Sequence, residues 1–225
     1  MITMRDVTKV YPNKVVALDN INVDIQKGEF VFIVGASGAG KSTFIKLLMR
    51  EEKATSGEII VNGRNVVKMK SSEVPYLRRE LGVIFQDYRL LPYKTVFENI
   101  AFAMQVIESP RQMMQRSVDS VLDIVGLREK HKNFPGELSG GEQQRVAIAR
   151  AIVNDPSIVI ADEPTGNLDP ETSWDIMDIF QRINAVGTTI VMATHDKAIV
   201  DSMKRRVIAI ENGHIVRDEA RGTYK

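Results

Sequence analysis

The chain has no cysteine among its 225 residues. Disulfide frameworks, thiolate metal sites and cysteine nucleophiles are therefore excluded, and the composition fits a reducing compartment. Nor is there an excess of charge of either sign. Thirty Lys and Arg face 29 Asp and Glu, a formal net charge of +1, which leaves no broad basic footprint for nucleic acid. No apolar run approaches the length needed to span a bilayer. The opening residues, Met1-Ile2-Thr3-Met4-Arg5-Asp6, hold no apolar stretch long enough for a secretion signal. A membrane role would have to work through another chain or a surface contact. Repeats, low-complexity tracts and Pro/Gly/Ser linkers are also missing.

What is present is an alternation of short apolar runs and helical periods. Strands are expected near 1–9, 21–25 and 29–34, with a turn at Gln26-Lys27-Gly28. A glycine-rich loop leads into a helix near 41–50. A strand at 56–63 ends in the Asn62-Gly63 turn, and another is expected at 81–86. Residues 96–127 read as helical, broken at Pro110, and a further helix is expected at 141–154. Strands at 157–161, 188–193, 207–210 and 214–217 then enclose helices at 170–183 and 197–202. Strands alternating with helices predict an α/β fold with a mostly parallel sheet. The helical middle predicts a subdomain inserted into one domain: core 1–90 and 157–225, inserted helices about 91–156.

Gly35-Ala36-Ser37-Gly38-Ala39-Gly40-Lys41-Ser42 matches the P-loop pattern. It follows the apolar strand Phe30-Val31-Phe32-Ile33-Val34 and opens a helix, which is the context this chemistry requires. Glycines let backbone N–H groups turn toward phosphates without Cβ clashes, and the helix start adds a fixed positive end. Lys41 can reach the β- and γ-phosphates, and the Ser42 hydroxyl can ligate Mg²⁺. Ile158-Val159-Ile160-Ala161-Asp162-Glu163-Pro164 is a buried strand ending in two carboxylates. Asp162 can hold a magnesium shell while Glu163 faces the attacking water.

Leu138-Ser139-Gly140-Gly141-Glu142-Gln143-Gln144-Arg145 precedes a helix and offers a second backbone anion site. One P-loop has no need of two. Leu138 to Gln144 resembles the signature sequence of ABC ATPases, and the resemblance extends over essentially the whole chain. It implies a P-loop NTPase fold with a RecA-like sheet, an N-terminal antiparallel β part and an inserted helical subdomain. Tyr11 stands where that family stacks an aromatic on adenine. Gln86 matches the Q-loop glutamine, Asn167-Leu168-Asp169 the D-loop, and His195 the switch histidine. The other histidines, His131 and His214, have no counterpart role. Met113-Met114 and Trp174 fit helix packing, and Lys204-Arg205-Arg206 reads as a solvated turn.

The resemblance implies the following roles. ATP and Mg²⁺ are the cofactors. Tyr11, Gly35, Ser37, Gly38, Ala39, Gly40, Lys41, Ser42 and Thr43 would bind nucleotide in one subunit. Ser139, Gly140, Gly141, Glu142 and Asp169 would meet it from the other, giving a head-to-tail homodimer. Ser42, Gln86 and Asp162 would surround the metal. Glu163, His195 and Lys41 would carry catalysis. The segments 85–102, 166–173 and 216–224 resemble the branch of the family that serves bacterial cell division. That implies an integral membrane partner, a peptidoglycan hydrolase regulated beyond it, and a peripheral position on the cytoplasmic face. No region matches the C-terminal regulatory domain of many importer ATPases. A lipoprotein-release or macrolide/antimicrobial exporter ATPase, an amino-acid importer ATPase and a soluble nucleotide-gated scaffold remain alternatives.

Overall fold

Phe30–Val34 is buried along its whole length, as a strand covered on both faces must be. In the computed structural model, which describes residues 1–224, this strand (β3) anchors one of two compact units. That unit comprises Met1–Arg78 with Thr189–Lys225; the other is Arg79–Thr188.

In the first unit β3 lies between two parallel neighbours. On one side is β8 (Thr189–Ala193), with Phe30 opposite Ile190 and Ile33 opposite Ala193. On the other is β9 (Arg206–Glu211), with Val34 opposite Ala209. β10 (His214–Glu219) closes this side antiparallel to β9. Helix α1 (Lys41–Leu48) leaves β3 through the glycine loop, and α7 (Lys197–Met203) follows β8. A separate antiparallel sheet runs β2-β1-β4-β5, built from β1 (Ile2–Val10), β2 (Val16–Ile25), β4 (Ser56–Val61) and the short β5 (Arg64–Asn65).

The strand expected at 21–25 in fact begins at Val16. Register shifts in the β1–β2 pairing at Val7, Lys9 and Val10 break the two-residue alternation there, and Val16 is half exposed. The residues therefore carry no strand pattern. Arg206 also departs from the solvated turn expected of 204–206. Its guanidinium bonds the carboxylates of Glu29 and Asp218 at 2.8 Å each and the Asp24 carbonyl at 2.8 Å. Asp218 holds it firmly protonated. It is a three-way tie across β2, the turn before β3 and β10.

The second unit pairs β6 (Leu81–Ile84) in parallel with β7 (Ile158–Asp162), Ile84 opposite Ala161. Its helices are α3 (Val96–Gln105), α4 (Arg111–Val125), α5 (Gly140–Ile152) and α6 (Pro170–Ala185). Helix α5 is the hub, in contact with α3, α4, α6 and β6. The inserted helices expected at 91–156 all lie in this unit, together with β6, β7 and α6. A short helix α2 (Val74–Arg79) has no clear apolar period in the sequence. Met113 and Trp174 are exposed rather than packed into helix contacts.

Candidate functional site

The first unit presents the phosphate loop. Gly35, Gly38 and Gly40 all take positive φ, at 150°, 79° and 118°. Two of them also have no room for a side chain. A Cβ on Gly35 would stand 2.2 Å from the Ile210 carbonyl oxygen, and one on Gly40 would stand 2.6 Å from that of Ala17. The loop is thus pinned by β9 and β2 as well as shaped by its own torsions. Lys41 is nearly buried, and its ammonium donates to the carbonyls of Gly35 at 2.9 Å and Ala36 at 3.2 Å. The loop's own oxygens thus hold the ammonium. Ala36, Ser37 and Gly38 are exposed, Ala39 is buried, and Ser42 faces solvent from the first turn of α1. Gly40 caps α1 without a side-chain bond, and no acidic residue occupies the first turn.

Two further expected residues lie in this unit. The Tyr11 hydroxyl is 3.2 Å from the Thr43 hydroxyl, and the Lys9 ammonium sits 4.8 Å from the Tyr11 ring centre. Tyr11 is therefore tied to the start of α1. His195 is exposed two residues past β8. The parallel pairing of β3 with β8 carries it to the same strand end as the loop. Thr194 N–H donates to the Ile33 carbonyl at 3.2 Å, and the Thr194 hydroxyl accepts from Asp196 N–H at 3.0 Å.

The second unit gathers the rest. Asp162 ends β7 half-buried, and Glu163 follows with φ of 51°. A left-handed glutamate is strained, and such strain persists where the surroundings over-determine it. Gln86, two residues past β6, donates to Asn167 Oδ1 at 3.4 Å, and Asn167 Nδ2 donates back to the Gln86 carbonyl at 3.3 Å. The Gln86 segment and the loop before α6 are thus joined. Asp169 is the N-cap of α6 and accepts from Thr172 N–H at 3.0 Å. The Thr172 bonds hold its carboxyl below the usual range.

Ser139 caps α5 in a reciprocal box. Its hydroxyl accepts from Glu142 N–H at 3.2 Å, and Glu142 accepts from Ser139 N–H at 2.9 Å. That backbone bond, more than the Lys130 ammonium 3.6 Å away, keeps the Glu142 carboxyl below its ordinary pKa. A Cβ on Gly141 would meet Thr172 Cγ2 at 2.4 Å, and one on Gly140 would lie 3.1 Å from the Tyr88 hydroxyl. The signature glycines are thus the points where α5 meets the Gln86 segment and α6.

Asn167 and Tyr88 were not singled out as site residues from the sequence. Asn167 had a signal in its D-loop motif; Tyr88 had none beyond its place in the segment after Gln86. Among the described residues no group of three or more His, Cys, Asp or Glu could by itself cage a metal. The candidate donors, the Ser42 hydroxyl, the Asp162 carboxylate and the Gln86 amide oxygen, are hard oxygens. Ser42 belongs to the first unit and the other two to the second, and each is the kind of group that suits Mg²⁺.

Comparison with known proteins shows the family. Residues 18–166 match the family model described as ABC transporter. The chain is 59% identical to the cell division ATP-binding protein FtsE of Bacillus subtilis (strain 168), over all of this chain and 98% of that protein. It is 60% identical to FtsE of Streptococcus pneumoniae serotype 2, over all of this chain and 97% of that one. A solved dimeric ATP-binding cassette in a post-hydrolysis state, bound to ADP and Pi, superposes with a TM-score of 0.89. It is 33% identical and covers 100% of this chain and 99% of that one. The chain belongs to the ABC transporter family, as one of its ATP-binding cassettes.

Proposed function

We propose that this chain is the ATP-hydrolysing subunit of a membrane complex in bacterial cell division, doing the work its FtsE relatives are named for. What supports the reading most is that the expected site residues stand at or just beyond the ends of strands and helices, in a chain alike from end to end to those proteins.

In this reading ATP lies in the loop 35–43, with Tyr11 leaving Thr43 to stack on the adenine. Lys41 exchanges its two carbonyl partners for phosphate oxygens. Ser42, Asp162 and Gln86 hold Mg²⁺, which supplies charge neutralisation on the phosphates. Glu163 takes the proton of the attacking water, and His195 keeps the water and γ-phosphate in register. A second copy packs head to tail and brings Ser139, Gly141 and Asp169 to the nucleotide. The Ser139 hydroxyl already accepts from Glu142 N–H, so its proton is available for a phosphate oxygen. Hydrolysis removes that contact and the pair opens.

The membrane partner is FtsX-like. Its cytoplasmic segment is received beside residues 87–94 and the inserted helices. There a shallow groove of about 620 Å³ is lined by Tyr93, Thr95, Phe97, His131 and Phe134, with Tyr93 93% exposed and Phe134 45%. Among the described residues no helix is long and apolar enough to cross a membrane. Attachment to the cytoplasmic face and control of a peptidoglycan hydrolase would both pass through the partner. The test is a pull-down of Glu163→Gln protein from its own membranes with Mg·ATP, with partners identified by mass spectrometry. Recovery of an FtsX-like protein supports the reading. Recovery of another permease, or of none, removes the cell-division role.

A further inference from the structure

The segment after Gln86 is bent by two consecutive non-glycine residues in the left-handed region, Tyr88 at φ 56° and Arg89 at φ 47°. Such a pair does not hold itself. Its own local bonds are Tyr88 N–H to the Phe85 carbonyl at 3.3 Å, Arg89 N–H to the Asp87 carbonyl at 2.6 Å, the Arg89 guanidinium over the Phe85 ring at 3.6 Å, and its Nε 3.3 Å from Asp87 Oδ1. What closes the bend comes from α5. Arg150 donates from Nη1 to the Arg89 carbonyl at 2.6 Å and from Nη2 to the Tyr88 carbonyl at 2.7 Å. A planar guanidinium matches two adjacent carbonyls in a way a lysine ammonium does not. The guanidinium is used on backbone oxygens alone, at a half-buried position beside another arginine, and burial and Arg89 both work against its charge.

Tyr88 also reaches the opposite end of α5. Its hydroxyl lies where a Cβ on Gly140 would approach to 3.1 Å. One residue thus spans the helix, its carbonyl on Arg150 near the C-terminal end and its phenol at the signature glycines. Gln86, two residues before, is bonded to Asn167. We propose that Arg150 is a positioning residue: by holding the Tyr88–Arg89 bend against α5, it makes Gln86 and the signature helix move as one piece. This rests on the proposed ATPase reading for its consequence in turnover, but the geometric claim can be tested apart from it. A partner pressing on 87–94 would then displace the signature end of α5 directly.

The test compares full-length wild type, Arg150→Lys and Arg150→Met by hydrogen exchange and steady-state ATPase kinetics. In Arg150→Lys, amides of residues 86–91 should exchange about tenfold faster, with α4, α6 and β7 protected as in wild type. ATP turnover should fall about tenfold with KM within twofold, because the nucleotide loop is untouched. Arg150→Met should be worse than Arg150→Lys in both readings. Unchanged exchange at 86–91, or loss of protection spread evenly over Arg79–Thr188, overturns the proposal. Should the variants not fold, wild type alone decides: the 86–91 amides and the C-terminal half of α5 must open together across a denaturant series, and independent opening overturns it. Absence of ATPase activity in wild type would instead sink the functional reading and leave the exchange result standing.

Discussion

Replacing Gly141 by alanine puts a Cβ 2.4 Å from Thr172 Cγ2, about an ångström inside ordinary contact. The obstacle is a methyl on the first turn of α6, and Thr172 N–H is held by Asp169, so that turn cannot easily retreat. Overpacking of this kind costs ~1–3 kcal/mol. The better helix propensity of alanine offsets up to ~1 kcal/mol, leaving a net loss of about 1–2 kcal/mol. For a domain of this size that corresponds to a fall in Tm of ~2–8 °C. Thr172→Ser deletes the methyl while keeping both the hydroxyl and the capped N–H. The double variant Gly141→Ala/Thr172→Ser should therefore recover most of the stability, with a coupling of at least ~1 kcal/mol. Thermal unfolding of the four proteins measures this, and ATP turnover is read alongside. The Cβ points at α6 of its own subunit, so turnover should recover with stability. If stability returns while turnover stays lost, the glycine serves close approach of the phosphate rather than packing against α6, and the reasoning fails.

Lys41→Ala should abolish nucleotide binding, measured by calorimetry, because no other side chain in the loop carries charge; unchanged affinity would refute the loop's role. Glu163→Gln should bind ATP normally but turn over at least ~10²-fold more slowly, and normal turnover in a phosphate-release assay would remove it as the base. Asp169 and Glu142 both have lowered carboxyl pKa values. Their contribution is thus present above the ordinary carboxylate range and lost as pH falls through it, below about pH 4. Asp169→Asn retains a capping oxygen without the titration, so its Tm should fall less steeply than that of wild type between about pH 6 and pH 3. An identical slope would show that the cap makes no contribution to acid sensitivity.

The phosphate loop was legible because its constraint is local: three glycines at positive φ and a lysine at fixed spacing leave their mark in a dozen residues. The ends of β6, β7 and β8 were legible for the same reason, since buried strands are continuous apolar runs. The Tyr88–Arg150 contact was not. It joins residues 62 positions apart through backbone carbonyls, which are the same in every residue and leave no pattern. Arg206 was misread because a Lys-Arg-Arg run looks solvated until the fold places Glu29 and Asp218 beside it. The bulged half of β2 was missed because register shifts erase the alternation on which a strand is recognised. Family resemblance supplied what spacing could not, above all the roles proposed for Gln86 and His195, each of which is uninformative alone.

The two helix ends proposed to meet ATP are built differently, and the difference suits the head-to-tail pairing in the proposed function. Helix α1 begins at Gly40 with no side-chain cap and no acid in its first turn. Glycine supplies no capping oxygen, and no carboxylate offsets the positive end of the helix. Helix α5 begins with Ser139 already bonded to Glu142 N–H and a carboxylate in its first turn. That carboxylate lies where it weakens the pull on an anion. A phosphate would therefore settle on the first loop unaided, whereas the signature end adds a hydroxyl proton and the few N–H groups the cap leaves. In the proposed function it meets ATP already bound to another subunit's loop. An end that binds alone, facing one that binds only in company, makes the pairing of subunits conditional on the γ-phosphate.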